Sequence, residues 1–162
     1  MQYMCTTWLI GMPASGKSTL CKACAGIDTD DIIDLHQLLT RCLNPDEFYT
    51  AEANAIINFI ENNTVTSVIA TGGSVVHRKE TMSAMQNNGT IIWLYCPLEV
   101  IQKRLGDYST RGIVMPDGIT TLEDLYHNRM GLYAKYADIQ LDTSKHSMEE
   151  CVKIIKALAP SQ

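Results

Sequence analysis

The residues in this sequence whose types and spacing are best suited to chemistry form one loop, Gly11-Met12-Pro13-Ala14-Ser15-Gly16-Lys17-Ser18-Thr19. The loop fits the pattern G-x-x-x-x-G-K-[ST], in which glycines let the backbone turn tightly and bring N–H groups against an anion. A lysine at this place is expected to reach the β- and γ-phosphates, and the next hydroxyl to face Mg²⁺. The predicted ligand is a nucleoside triphosphate, and the alternative is an ordinary glycine-rich turn.

A set of carboxylates follows the second apolar run, in Asp28-Thr29-Asp30-Asp31. One such carboxylate can hold Mg²⁺ through water, and another can accept the proton of an attacking hydroxyl. Phosphoryl transfer needs that division of labour. The alternative is that Asp30 or Asp31 only caps the next helix.

Two later segments add candidates for the same chemistry. Thr71-Gly72-Gly73-Ser74 follows the third apolar run, and its two glycines let backbone approach a substrate closely. Residues 105–118 are rich in Gly, Asp, Ser and Thr, which is typical of a lid or binding loop. Arg111 in this loop and Arg104 before it are suited to folding over phosphates, although either arginine alone is more often a surface residue.

The elements that must position these residues alternate along the chain. Five apolar runs predict strands, and breaker-free segments between them predict helices, including one that starts at Pro45 after an Asn44 cap. This alternation predicts an α/β fold of three layers, with a five-stranded parallel sheet flanked by helices. The predicted strands are 5–10, 27–28, 65–70, 90–95 and 139–141, and the predicted helices are 17–24, 31–40, 45–62, 78–87, 97–105, 121–136 and 147–158.

Composition narrows the class of protein. The 162 residues fit a single domain spanning 1–162, and a net charge of −5 without clustered Lys or Arg argues against a nucleic-acid partner. No apolar run is long enough for a membrane span and no leader is apparent, so we expect a cytoplasmic protein. We also expect a monomer. The six scattered cysteines are expected to be reduced, with a redox pair or half a zinc site at Cys21-x-x-Cys24 as the alternative.

In combination these motifs resemble the shikimate kinase family. The phosphate loop, the Asp28-Thr29-Asp30 pair and Ala70-Thr71-Gly72-Gly73-Ser74 occur in the family's order, with Ser74 in place of a third glycine. The seven-residue spacing of Arg104 and Arg111 is similar to that of the two lid arginines. The segment Arg129-x-x-Leu132-Tyr133-x-x-Tyr136-Ala137-Asp138 resembles the family's substrate-arginine segment.

The resemblance implies a P-loop kinase that transfers the γ-phosphate of ATP to a hydroxyl of a small carboxylate, shikimate in the family, within amino-acid biosynthesis. It implies ATP and Mg²⁺ as cofactors, a lid at about 105–118 and an acceptor-binding segment at about 31–62. For the donor half, it implies that Arg104 lies near adenine, that Arg111 closes over the γ-phosphate and that Lys17 contacts phosphates. The implied nucleotide-binding set is Gly11, Ala14, Ser15, Gly16, Lys17, Ser18, Thr19 and Arg104, with Ser18 and Asp28 as the metal ligands.

For the acceptor half, the resemblance implies that Asp30 contacts or deprotonates the acceptor hydroxyl and that Arg129 holds its carboxylate. Lys17, Asp30 and Arg111 are thus the implied catalytic residues. The implied acceptor-binding set is Asp30, Tyr49, Glu52, Gly72, Gly73 and Arg129. Without the family, Arg129 would be taken for a charge on a helix surface.

One departure from the family concerns the acceptor. The family's Phe-Arg-x-x-Glu segment stands here as Phe48-Tyr49-Thr50-Ala51-Glu52, so Tyr49 replaces one of two carboxylate-binding arginines. The lost charge-assisted hydrogen bond is worth roughly 1.5 to 3 kcal/mol. Glu52 is then left available for a substrate ammonium, which makes a hydroxylated amino acid such as homoserine the alternative to shikimate. In a third interpretation, Tyr49 fills the pocket and Glu52 pairs with Arg129 or Arg41.

Other functions fit less of the sequence. A nucleoside monophosphate kinase needs several basic residues for the acceptor phosphate, but Arg41 is the only Lys or Arg in residues 23–76. A gluconate kinase has a compatible phosphate loop and stays open. A non-catalytic ATP-binding module would be expected to have lost the metal or base carboxylates, and both are present.

Overall fold

The computed structural model of the chain describes residues 6–63 and 67–159, and its centre is a five-stranded parallel sheet. The strands are β1 (Thr6–Ile10), β2 (Ile27–Asp28), β3 (Val68–Ala70), β4 (Gly89–Tyr95) and β5 (Ile139–Asp142). Their order across the sheet is β2-β3-β1-β4-β5. The predicted α/β class is confirmed; residue 5 of the first predicted strand and residues 65–66 of the third lie outside the described residues.

Helices cover both faces of this sheet, as the three-layer prediction requires. Among the described residues they are α1 (Lys17–Ala23), α2 (Leu35–Arg41), α3 (Pro45–Asn62), α4 (Lys79–Asn88), α5 (Leu98–Leu105), α6 (Leu122–Tyr136) and α7 (Met148–Leu158). The start of α3 is set as predicted, because the Asn44 side chain accepts a hydrogen bond from the Glu47 N–H at 2.9 Å and Pro45 occupies the first turn. Two 3₁₀ turns, Thr29–Asp31 and Gly73–His77, add to the regular structure.

The predicted single helix at 31–40 is wrong. The Asp28 carboxylate accepts a hydrogen bond from the Asp30 N–H at 3.0 Å and closes the first 3₁₀ turn. The chain then restarts as α2 at Leu35, where Asp34 is the cap and accepts from the Gln37 N–H at 2.9 Å. Neither Asp30 nor Asp31 caps a long helix, because these local side-chain bonds compete with helix propagation.

The sheet separates two hydrophobic clusters. Alternate residues of the central strands point to opposite faces, so β1 sends Trp8 and Ile10 to one face and Leu9 to the other. The larger cluster packs under α3, α4 and α6, and the smaller one under α1 and α7, where Leu20, Cys21, Cys151 and Ile155 lie. Both faces of β1 are therefore buried, which explains its continuous apolar sequence.

The strand order brings the candidate residues to one edge. β1 pairs with β3 on one side and with β4 on the other. The chain thus moves from β1 toward β2 and β3 first and only later toward β4 and β5. Ligands of open parallel sheets bind beyond the carboxyl ends of strands at such a reversal. The segments that follow β1, β2 and β3 meet there.

Within the described ranges, no helix combines the length and the apolar character that crossing a bilayer requires.

The Cys21 thiol, half of the Cys21-x-x-Cys24 pair, is buried and donates to the carbonyls of Ile27 at 3.3 Å and Val68 at 3.6 Å. Burial raises the pKa of this thiol to about 11, which makes it a poor nucleophile at neutral pH.

Candidate active site

The phosphate loop joins β1 to α1 in a conformation that depends on its glycines. Gly11 has φ +151°, and a Cβ at this position would lie 2.7 Å from the carbonyl oxygen of Leu94. Gly16 has φ +100°, and Ala14 between them also has a positive φ of 63°. The Ser15 N–H donates to the Met12 carbonyl at 3.1 Å and closes the turn. The missing Cβ of Gly11 therefore lets the loop pass against β4 without a steric clash.

Lys17, the first residue of α1, is buried against this loop. Its ammonium group donates to the carbonyl oxygens of Gly11 and Met12, each at 2.8 Å. Burial is the largest cause that lowers the lysine pKa to about 8, Arg129 adds to the effect, and Asp30 and Asp28 oppose it. An ammonium group has three donors, so one remains for a phosphate oxygen.

The carboxylates after β2 lie close to this lysine. Asp28 and Asp30 both act on the Lys17 pKa, and the pKa of Asp30 is raised by partial burial and then by the Asp28 charge. Ser18 is exposed at the start of α1 and lines the same cavity as Asp30. Mg²⁺ in nucleotide sites commonly uses one or two protein oxygens besides phosphate oxygens and water, and the Ser18 hydroxyl and Asp28 carboxylate fit that donor set.

A cavity of about 360 Å³ contains both the phosphate loop and the acceptor candidates. Its wall combines residues from the loops after β1, β2 and β3 with residues of α3, α6 and the lid. Among the predicted site residues, those that line it are Ala14, Gly16, Lys17, Ser18, Thr19, Asp30, Glu52, Gly72, Gly73, Arg111 and Arg129. Sequence positions more than a hundred residues apart therefore face one another across a single space.

Arg129 of α6 is buried, with 1% of its surface exposed. Its Nε donates to His77 Nε2 at 3.2 Å, and one terminal nitrogen, Nη2, donates to the Val114 carbonyl at 3.2 Å. The other terminal nitrogen, Nη1, lies 3.0 Å from the position that a Cβ on Gly73 would occupy. The interpretation of Arg129 as a surface charge is therefore wrong, and a guanidinium edge reaches the cavity beside Gly73.

Glu52 of α3 is the buried carboxylate of the same cavity, with 3% of its surface exposed. The Ser74 Oγ lies 2.9 and 2.8 Å from its two oxygens, so the hydroxyl donates between them. Burial outweighs this hydrogen bond and the nearby Arg129 charge and raises the Glu52 pKa to about 7. Ser74, which stands in place of the family's third glycine, is thus the residue that holds Glu52.

Tyr49 does not line the cavity, although it was predicted to contact the acceptor. Its ring stacks on His77 with centroids 4.4 Å apart, and its hydroxyl donates to the Val114 carbonyl at 3.1 Å. The ring is buried, 5% exposed, and its hydroxyl finds its acceptor on the loop between α5 and α6. Tyr49 therefore supports the wall behind Arg129 and does not form the wall itself.

The segment between α5 and α6 has no helix or strand, as expected of a long loop, and its role as a lid stays a prediction. Arg111 from this segment lines both the main cavity and a second one of about 350 Å³. Arg104 at the end of α5 lines the second cavity and donates to the Ala14 carbonyl at 3.0 Å. This second cavity adjoins the phosphate loop, with Ser15, Thr143 and His146 on its walls.

Some residues of the site were not predicted. His77, Val114 and Tyr133 hold the acceptor side together, and the Tyr133 hydroxyl donates to the Gly73 carbonyl at 2.7 Å. The 3₁₀ turn Gly73–His77 places Ser74 and His77 three residues apart on one face. A three-residue spacing places two side chains on one face only in a helical turn, and no sequence pattern predicted a turn here. His77 was therefore not predicted as a site residue.

The fold and the site define the class of this protein. A parallel sheet with a phosphate loop after β1, acidic residues after β2, a buried arginine and a long loop that carries Arg111 to the cavity are typical of P-loop small-molecule kinases. Comparison with known proteins narrows the class. A family model described as shikimate kinase matches residues 13–159. The chain belongs to the shikimate kinase family.

Individual relatives agree with this assignment. The shikimate kinase of Clostridium botulinum (strain Okra / Type B1) is 30% identical over 161 residues, covering 92% of this chain and 93% of that protein. The shikimate kinase of Bacillus mycoides is 26% identical, with 94% and 97% covered. These relationships make the protein an ATP- and Mg²⁺-dependent phosphotransferase that acts on a hydroxyl group of a small molecule.

Solved structures show the same fold. The shikimate kinase of Acinetobacter baumannii, in complex with shikimate, superposes with a TM-score of 0.72 at 20% identity, covering 96% of this chain and 92% of that one. The shikimate kinase of Aquifex aeolicus gives a TM-score of 0.70 at 24% identity, with 94% of each chain covered. The predicted P-loop kinase architecture is therefore confirmed.

Proposed function

We propose that this protein transfers the γ-phosphoryl group of ATP to a hydroxyl group of shikimate. One observation carries the proposal: Lys17 and Ser18 of the phosphate loop, Asp30, and the buried Arg129 line the same cavity of about 360 Å³. A cavity of this size suits a small hydroxylated carboxylate next to a terminal phosphate. The curated relatives named above, which carry the shikimate kinase name, support the same acceptor.

In this proposal, the donor half holds ATP through the phosphate loop. Backbone N–H groups at the start of α1, from Gly16 to Thr19, contact the phosphates, and the third donor of Lys17 binds a terminal phosphate oxygen. Ser18 and Asp28 would hold the magnesium ion, which would supply positive charge against the phosphates. The second cavity, bounded by Arg104 and the loop residue Ser15, takes the base and sugar. Arg111, which borders both cavities, closes over the γ-phosphate.

The acceptor half positions a hydroxyl for in-line attack. Arg129 binds the acceptor carboxylate through the Nη1 edge beside Gly73, and Gly72 and Gly73 let the ligand approach the backbone. Asp30 orients the hydroxyl and takes its proton as the bond from oxygen to the γ-phosphorus forms. The bond between that phosphorus and the bridging oxygen breaks at the same time, and ADP leaves with the electron pair.

Homoserine is the second candidate, because Tyr49 stands where the family has a second carboxylate-binding arginine. An ammonium group would need an ionised carboxylate as its partner, and Glu52 is the buried one in the cavity. Ser74 engages both Glu52 oxygens, and the pKa of about 7 leaves the group partly neutral at neutral pH. This environment supports shikimate over an amino-acid acceptor.

Steady-state kinetics with purified protein, ATP and Mg²⁺ tests the proposal. We expect ADP formation that depends on shikimate, with kcat/KM for homoserine, gluconate and AMP at least about a hundredfold lower, because an acceptor that does not match the site leaves buried polar groups unpaired. Lys17→Met should abolish turnover, whereas Lys22→Met, an exposed lysine on the same helix, should not. A preference for homoserine would replace the proposed acceptor, and turnover without any acceptor would refute the kinase assignment.

The active unit proposed here is a monomer in the cytoplasm. The donor and acceptor candidates of one chain face the same cavity, which supports a site that a single copy can form. Sedimentation of the purified protein at the concentrations used for kinetics tests this point. A dimer that dissociates with loss of activity would contradict it.

A further inference from the structure

A histidine outside the lining of the main cavity is hydrogen-bonded to the acceptor arginine. His77 ends the 3₁₀ turn Gly73–His77, and its Nε2 lies 3.2 Å from the Nε of Arg129. A guanidinium nitrogen can only donate, so Nε2 must be the acceptor and the neutral ring carries its proton on Nδ1. Burial, Arg129 and Arg78 lower the His77 pKa to about 4, which keeps this acceptor available at neutral pH.

The His77 ring is itself fixed in place. Tyr49 stacks on it with an interplanar angle of 23°, and the Tyr49 hydroxyl donates to the Val114 carbonyl of the lid. Arg129 Nη2 donates to the same carbonyl. The two nitrogens Nε and Nη2 are thus engaged on one edge of the guanidinium plane, and Nη1 is the nitrogen directed toward Gly73.

In this arrangement, a fixed orientation of the Arg129 guanidinium takes the place of a second positively charged side chain. A second arginine at position 49 would add a donor for the acceptor carboxylate, but Tyr49 lies behind the cavity wall and adds none. A buried guanidinium with one terminal nitrogen, Nη1, directed toward the ligand side depends on a fixed orientation to bind a carboxylate. A neutral nitrogen acceptor supplies that orientation without neutralising the positive charge that the ligand needs.

We propose that His77 is a positioning residue that fixes the guanidinium plane of Arg129 for an acceptor with a single carboxylate contact. The inference rests on the proposed function, because it assigns Arg129 to the acceptor carboxylate. It extends that function by naming what replaces the missing second arginine: a stacked Tyr49–His77 pair tied to the lid through Val114.

Kinetics of a matched pair of variants provides the first test. His77→Met keeps the approximate volume of the side chain but removes the acceptor, whereas His77→Gln keeps an oxygen near the place of Nε2. We expect His77→Met to raise the KM for shikimate by about tenfold, with kcat and the KM for ATP within about twofold, as loss of one hydrogen bond of a charged group implies. We expect His77→Gln to restore the KM to within about threefold of wild type.

Two kinetic outcomes overturn the proposal. One is a shikimate KM in His77→Met that stays within about twofold of wild type. The other is equal impairment of the Gln and Met variants, which would mean that the ring and not its acceptor matters. Thermal unfolding of each variant shows whether the kinetic comparison is made on folded protein.

A second readout does not require turnover. In ¹⁵N-arginine-labelled wild-type protein, the Nε–H signal of Arg129, assigned by its loss in Arg129→Lys, should exchange slowly with solvent. The signal should exchange faster in His77→Met than in His77→Gln, and identical exchange in all three proteins overturns the proposal. If the wild type phosphorylates neither shikimate nor homoserine, the proposed function fails while this signal still decides the role of His77.

Discussion

Replacing Glu52 by glutamine should change how the stability of this protein depends on pH. The carboxyl group has an ordinary pKa of 4.5, and burial raises it to about 7 in the folded protein. Between these values the unfolded chain releases the proton but the folded chain retains it. Stability is therefore highest where both states are protonated and is lost as pH rises from 4.5 through about 7.

The magnitude follows from the same two pKa values. Their difference corresponds to roughly 3 kcal/mol in the free energy of unfolding, of which about 2.5 kcal/mol falls between pH 5 and pH 8. A glutamine cannot ionise, and its amide oxygen can still accept from the Ser74 hydroxyl. The Glu52→Gln variant should consequently lose about 2.5 kcal/mol less than wild type over this range.

Urea unfolding at pH 5 and pH 8 measures this difference. Trp8 and Trp93, the two tryptophans of the chain, are buried in the larger cluster and report unfolding by fluorescence. Glu61→Gln, which removes an exposed carboxylate from the last turn of the same helix, is the matched control and should follow wild type. Parallel loss of stability in wild type and Glu52→Gln would refute the raised pKa and the role assigned to its burial.

Three further predictions follow from other contacts of the site. The KM for ATP should be constant below pH 8 and rise by up to about tenfold per pH unit above it. The reason is that Lys17, with a pKa of about 8, then loses the charge that binds phosphate. A flat profile between pH 7 and pH 9.5 would contradict this. Gly73→Ala should lower kcat/KM by tenfold or more, since its Cβ would lie 3.0 Å from both Arg129 Nη1 and the Gly11 carbonyl oxygen. The control Gly131→Ala, where a Cβ in α6 meets nothing within 4 Å, should instead stabilise the fold by roughly 0.5 to 1 kcal/mol in urea unfolding; equal activity of the two variants would argue against close packing at Gly73. Arg104→Met should raise the KM for ATP about fivefold and leave the KM for the acceptor unchanged, because it removes a charged donor beside the second cavity; an equal rise in both constants would place Arg104 in the acceptor site.

The donor side of the site was predictable because its signals are local. The phosphate loop is contiguous in sequence, and Gly11 is required because a Cβ there would lie 2.7 Å from the Leu94 carbonyl oxygen of β4. The start of α3 was also predictable, since Asn44 and Pro45 act within a single turn. Where a prediction of a helix failed, at 31–40, local signals were in conflict: apolar spacing favoured one helix, but Asp28 and Asp34 each ended or started a turn by capping backbone N–H groups.

The acceptor side was predictable only in part because its contacts join distant positions. His77 and Arg129 are 52 positions apart, and Glu52 and Ser74 are 22 apart. The replacement of the family's arginine by Tyr49 was visible in the sequence, but the orientation of the tyrosine ring was not. Whether this ring faces the cavity or the lid depends on the packing of α3 against the turn after β3, and no local pattern records that packing.

The two hydrogen bonds from Lys17 to carbonyls of its own loop also bear on how nucleotide leaves. An incoming phosphate oxygen does not meet a bare ammonium group, because Gly11 and Met12 already accept from it. Two of the three ammonium donors are already satisfied before nucleotide binds. The free energy gained when a phosphate oxygen joins them is therefore smaller than it would be for a lysine without these partners. When ADP departs, the lysine loses one partner and keeps two. The Lys17 ammonium group thus stays hydrogen-bonded in the empty site, and this favours rapid release of ADP over tight retention.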